Sequence, residues 1–220
     1  MYNALKPVLE RAQEPWSKQE AMIAIYNVEK DLQAQHPEML YNEILAEVHK
    51  KFAMRLGVSS SVEEDVTFSR CISTMIAFPD TVSALASLKK HFKLIVLSNI
   101  DNHSFNTFTR PILEPAGIGS IFDLVMTAQD VKAYKPDPVA FESALSAINE
   151  KFGVAKSRVL VTANSLLHDH EPANALGIHS CWIDREGATI GVNSHATYDF
   201  KFATLGEMAE AREKIGSSAD

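Results

Sequence analysis

Three short polar segments carry the side chains best suited to chemistry: Ser98-Asn99, Tyr134-Lys135-Pro136-Asp137-Pro138, and Thr162-Ala163-Asn164-Ser165 leading into Leu166-Leu167-His168-Asp169-His170-Glu171. Ser98 and Asn99 are short donors and acceptors able to hold a carboxylate, a phosphate or a developing negative charge. Lys135 adds an ammonium just outside a rigid Lys-Pro turn. Each segment also has a plainer reading, as a helix cap or a solvated loop. His168, Asp169, His170 and Glu171 invite a metal site, but neighbouring residues that open a helix point in divergent directions, and a metal cage needs convergent, supported ligands. No metal and no cofactor is therefore expected. Asp169 is expected to meet the amides of a helix start, one of the histidines to line a pocket, and His179 to be structural.

The elements that must position these groups alternate. A helix from Thr81 to His91 precedes the apolar run Leu94-Ile95-Val96-Leu97, which ends in Ser98-Asn99. Phe122 to Met126, Val159 to Val161 and Cys181 to Ile183 repeat that form, each separated by a helix or loop. Asp137-Pro138 is a helix-start signal ahead of Phe141, Ala144, Leu145 and Ile148, and Gly177 closes the next helix. The pattern predicts an α/β fold, a parallel sheet with helices on both faces. Ligands in such sheets gather at the carboxyl ends of the strands, where the polar segments fall. Residues 1–78 read instead as helical: Met22, Ile23, Ile25, Tyr26 and Val28, then Leu40, Ile44, Leu45, Val48 and Phe52, recur at helical spacing.

Bulk properties narrow the partners. With 220 residues, 46% of them hydrophobic and 22% charged, the chain buries a full core. A net charge of −7 argues against nucleic acid or anionic lipid as a partner, since phosphate binding needs clustered cations. Cys71 and Cys181 are distant and in apolar settings, so neither a disulfide framework nor a thiolate cluster is indicated, and a reducing, cytoplasmic setting fits. No apolar run has membrane-spanning length, and no export signal is expected. A small molecule is the expected partner.

The ordered set Leu97-Ser98-Asn99, Lys135-Pro136-Asp137 and Asn164-Ser165 with Asp169 and Gly177 resembles the haloacid dehalogenase superfamily, most closely its type II 2-haloacid-dehalogenase-like branch. Ser165 to His170 and Trp182-Ile183-Asp184-Arg185 resemble that branch in detail. The resemblance implies a Rossmann-like core over 79–220 and an α-helical cap over 1–78. It implies that Ser98 and Asn99 bind a substrate carboxylate or leaving group and that Lys135 is the catalytic cation. Asn164 stands where magnesium-dependent members carry an acid, which points to metal-independent chemistry. Lys135, Ser98, Asn99 and Asn164 are thus the expected catalytic residues, with Tyr134, Thr162, His168 and Asp169 expected to contact substrate.

The resemblance also implies a first core strand ending in an aspartate nucleophile, and the sequence shows none: Met1 to Leu5 already resembles the helix that follows it. Asp101, Asp137 and Asp169 have helix-start explanations. The strand would lie mid-sheet, so its loss leaves neighbours unpaired. An upstream start, a strand donated in a homodimer or strand-exchanged oligomer, or a rearranged sheet would each answer it. The function expected is a repurposed, non-covalent enzyme on a small carboxylate- or carbonyl-bearing molecule, catalysing cyclisation (pericyclic included), isomerisation or dehydration in metabolite biosynthesis. The alternatives are a 2-haloacid dehalogenase or related hydrolase shortened at its amino end, and a small-molecule-binding protein without turnover.

Overall fold

The computed structural model of the chain describes residues 1–217 apart from 14, 118, 189, 190 and 193. Its first third is helical: α1 (Tyr2–Arg11), α2 (Lys18–Gln35), α3 (Tyr41–Arg55), α4 (Val62–Ser69) and a tight turn at Cys71–Thr74. Ser17 starts α2 with reciprocal bonds, accepting from the Glu20 amide at 3.2 Å while its own amide donates to the Glu20 carboxylate at 2.9 Å. Ser61 and Glu64 do the same for α4. The apolar stripes of α2 and α3 meet in one core: Ile25, Val28, Leu32, Ile44, Leu45, Val48 and Phe52 are buried. That core continues into Ile100, Phe105, Ala128 and Tyr134, so the helical third and the strand-bearing part share packing.

The remainder alternates as the pattern predicts. In order it contains α5 (Thr81–Leu88), β1 (Ile95–Ser98), α6 (Asn102–Ser104) and α7 (Arg110–Leu113), then β2 (Leu124–Thr127), α8 (Ala128–Val131), α9 (Pro138–Phe152) and β3 (Leu160–Ala163). It closes with α10 (Glu171–Leu176), β4 (His179–Ile183), β5 (Phe200–Phe202) and α11 (Leu205–Ser217). Asp137 caps α9 through the Val139 amide at 2.9 Å, and Gly153 and Gly177 take the left-handed conformation that ends α9 and α10.

The strands do not join into one sheet. β1 pairs in parallel with β2, and β3, β4 and β5 form a separate parallel sheet in that order. The continuous sheet read from the sequence is therefore interrupted, and β5, only three residues long, is an addition to it. Between β1 and β3 lies a slot of about 600 Å³ walled by Leu94, Ile95 and Leu97 on one side and by Leu160, Val161 and Thr162 on the other. Phe141, Leu145 and Ile148 of α9 also line it. Strands inside a parallel sheet are normally buried on both faces. Here Ser180, Cys181 and Ile183 of β4 are buried, whereas no residue of β1 or β3 is, and Thr162 is exposed. Apolar side chains left half-covered along two facing strands are the physical mark of the interruption.

Candidate functional site

Lys135 is the centre of the site. It follows α8, and its main chain is clamped by Asn99 just past β1: the Lys135 amide donates to Asn99 Oδ1 at 2.7 Å, and Asn99 Nδ2 donates back to the Lys135 carbonyl at 2.8 Å. With its main chain fixed, the lysine side chain reaches over the end of β1, and Nζ donates to the Leu97 carbonyl at 2.7 Å and to Asp169 Oδ1 at 2.7 Å. The two side chains are 13% and 12% exposed, so this is a largely desolvated ion pair. Asn99 thus acts on the lysine backbone, with both ends of its amide engaged there.

Asp169 departs from the sequence reading. It lies in a widened helical turn, Leu166–His170, and its carboxylate pairs with Lys135 instead of capping a helix. Ser165 does the capping, accepting from the His168 amide at 3.1 Å. His168 is held from both sides of its ring, by Ser165 Oγ at 3.1 Å from Nδ1 and by the Tyr26 hydroxyl at 3.3 Å from Nε2, and Tyr26 meets it edge-on. Burial lowers the proton affinity of His168, with Asp169 opposing. His170 is fully buried and bridges Ser180 Oγ at 3.0 Å and the Ala163 carbonyl at 3.2 Å, a structural role.

These groups face a pocket of about 270 Å³ lined by Asn99, Lys135, His168 and Asp169 from the strand-bearing part, by Ile25, Tyr26, Glu29, Gln33 and Tyr41 from α2 and α3, and by Met1. The other residues singled out from sequence lie elsewhere. Ser98 ends β1 opposite Thr127 and is not among the lining residues. Asn164 donates to the Ile183 carbonyl at 2.9 Å while its own carbonyl accepts from Trp182 Nε1 at 2.9 Å, tying β3 to β4. Thr162 lines the slot. Tyr134 is 5% exposed and donates to the Met39 carbonyl at 2.7 Å, joining the segment after α8 to the entry of α3. His179 is exposed and pairs with Asp199 at 2.9 Å.

The pocket wall from α2 escaped the sequence reading, and its sharpest member is Glu29. Ile25, Glu29 and Gln33 are spaced four apart and share a helix face. A carboxylate on the stripe that carries Ile25 was the available signal. Glu29 accepts from Gln33 Nε2 at 3.0 Å, and burial pushes its carboxyl up to about 7 against the hydrogen bonds of Tyr41 and Gln33. Burial also raises the Tyr41 hydroxyl well above its usual range and Tyr26 to about 12, so both stay neutral donors. Among the described residues no group of three or more His, Cys, Asp and Glu is placed to hold a metal ion. No described helix is long and apolar enough to cross a membrane.

The arrangement can bind a small anion or polarise a carbonyl beside a fixed ammonium. Haloacetate dehalogenase H-2 of Moraxella sp. (strain B) is 28% identical over 111 residues, 50% of this chain and 46% of the relative. The (S)-2-haloacid dehalogenase of Pseudomonas sp. (strain YL) is 25% identical over 166 residues, 75% of this chain and 67% of the relative. The chain therefore spans about half to two thirds of such curated relatives. In fold it is similar to the L-2-haloacid dehalogenase of Xanthobacter autotrophicus with chloropropionic acid covalently bound, with a TM-score of 0.71, 15% identity, and coverage of 96% of this chain and 92% of that one. L-2-haloacid dehalogenase RSc1362 superimposes with a TM-score of 0.74 at 18% identity, covering 97% and 92%. Residues 2–166 match the haloacid dehalogenase-like hydrolase family, and the chain belongs to it.

Proposed function

We propose that the chain is a hydrolase acting on small carboxylate-bearing molecules of the 2-haloacid kind, with Lys135 as the cation that holds the substrate and stabilises the charge developing on it. The observation that carries this reading is the Lys135 ammonium, fixed in a desolvated pocket by Leu97, Asp169 and the Asn99 clamp. A preorganised positive charge in low dielectric is worth far more to a transition state than one in water. The pocket carboxylates among the described residues are Asp169, already paired, and Glu29. The hydrolase reading therefore draws its nucleophile from a further strand seated in the slot, whose lining includes Lys135 and Asp169. Such a strand would end beside Lys135 and Met1, where α1 begins.

Halide release from 2-chloropropionate tests the reading. It is expected once an apolar strand ending in aspartate is joined ahead of Met1, and is expected to vanish in the neutral pair K135M/D169N. An extended chain that gains thermal stability yet frees no halide would refute it. The non-covalent alternative, an isomerisation, dehydration or cyclisation, rests on Glu29, an acid-base group already in the pocket. It requires turnover of a carbonyl-bearing substrate by the chain without any added strand.

A further inference from the structure

The pocket wall opposite Lys135 is built by one face of α2. Ile25 is buried, Tyr26 is half-buried against His168, and Glu29 and Gln33 follow at one-turn intervals. The Glu29 carboxylate meets neutral donors only: Gln33 Nε2 at 3.0 Å and the Tyr41 hydroxyl. Among the described residues no cation forms an ion pair with it. Across the same pocket the Lys135 ammonium is already balanced by Asp169. An incoming carboxylate would add one negative charge to a space whose remaining acidic group is Glu29. Two carboxylates sharing a desolvated pocket do not both stay ionised.

We propose that Glu29 is the proton-exchanging group of the pocket, taking one proton from solvent when a small monocarboxylate binds beside Lys135, so that the site holds a neutral acid and one anion together. This rests on the carboxylate-binding reading given above. The balance is simple: the ionised site, the anion and one solvent proton give the complex, with no bond to the ligand formed or broken. Protonated Glu29 can also donate a hydrogen bond to the ligand, which the ionised form cannot.

The surroundings leave few rivals for the proton. On α2 itself, Tyr26 is pushed up to about 12 and Lys30 is exposed. From α3, Tyr41 is raised by burial, and Glu43 is an exposed acid engaged with the Leu40 amide at 3.2 Å. From the turn after α4, burial raises Cys71, and from the segment after α8 it raises Tyr134, so neither ionises near neutrality. The Met1 amino group acts on Cys71, and Met1 lines the pocket. Burial lowers His168, and it and the Met1 amino group are the other groups that an anion could protonate.

Calorimetry with 2-chloropropionate at pH 8, in buffers of different ionisation enthalpy, reads the protons taken up. About one proton per ligand is expected, with affinity falling about tenfold between pH 6 and pH 8. E29Q is expected to abolish both the uptake and the fall in affinity, and H168Q to keep both. Uptake that survives in E29Q, or that disappears in H168Q, overturns the proposal. A carboxyl-carbon NMR titration of the free protein gives an independent check: a Glu29 midpoint near 7 is expected, and one near 4.5 overturns the proposal whatever binds. Failure of 2-chloropropionate to bind even at pH 6 overturns the carboxylate-binding reading with it, whereas binding without proton uptake overturns only the role of Glu29.

Discussion

Replacing Lys135 by methionine keeps most of the side-chain volume and removes the charge. Asp169, 12% exposed at its side chain, then loses a partner 2.7 Å away, and the Leu97 carbonyl loses a donor at the same distance. A buried charge left without its partner costs about 3–5 kcal/mol. That is a large part of the roughly 5–15 kcal/mol by which a domain is stable. Asp169→Asn leaves the equally buried ammonium facing only a neutral acceptor and is expected to cost a similar amount, about 3–5 kcal/mol. In K135M/D169N no uncompensated charge remains, so the double variant should fall short of the summed single costs by about 2 kcal/mol. Urea unfolding followed by circular dichroism reads all three. With a slope of about 2 kcal/mol/M, the K135M midpoint should drop by about 2 M. A K135M cost below about 1 kcal/mol is the value of a solvent-screened surface pair. That result, or strict additivity in the cycle, would refute the desolvated ion pair on which the site rests.

Tyr134→Phe removes the bond to the Met39 carbonyl while keeping the ring in the core, and should cost about 1–2 kcal/mol, read as a fall in Tm of a few degrees. Glu29 makes stability depend on pH. Its folded-state value of about 7 lies above the ordinary 4.5, so the native state binds more protons between those values. Its contribution is fully present below pH 4.5 and lost as pH rises to about 7, a change of at most about 3 kcal/mol at 1.36 kcal/mol per unit. E29Q should therefore match the parent near pH 4.5 and exceed it in stability at pH 8. A difference between the two proteins that stays flat across this range would show that Glu29 titrates normally.

What could be read along the chain was local chemistry. Asp137-Pro138 announced α9 because an aspartate oxygen and a proline ring suit the first turn of a helix whatever lies around it. Leu94 to Leu97 read as a strand because a short β-rich apolar run before Ser-Asn has few other uses, and Lys135 stood out because a cation beside a fixed turn at a sheet edge has a direction. Segments without a strong local signal were not legible. β5 is only Phe200–Phe202, too short to show alternation, and its place depends on pairing with β4.

Only the tertiary structure decided what the chosen side chains do. Asp169 resembles a cap in sequence, yet it meets Lys135 from 34 residues away, and Asn99 reaches the Lys135 backbone across 36. Asn164 and Tyr134, polar and well placed along the chain, are drawn into ties between strands and to the helical third. Glu29 enters the pocket because α2 packs its apolar face there and carries an acid with it. The slot between β1 and β3 follows from strand order. Caps, turns and strand runs are settled by neighbours within a few residues, so the sequence carries them openly. Charge pairing, burial and sheet continuity depend on which distant segments meet, and those were settled only by the packing of the folded chain.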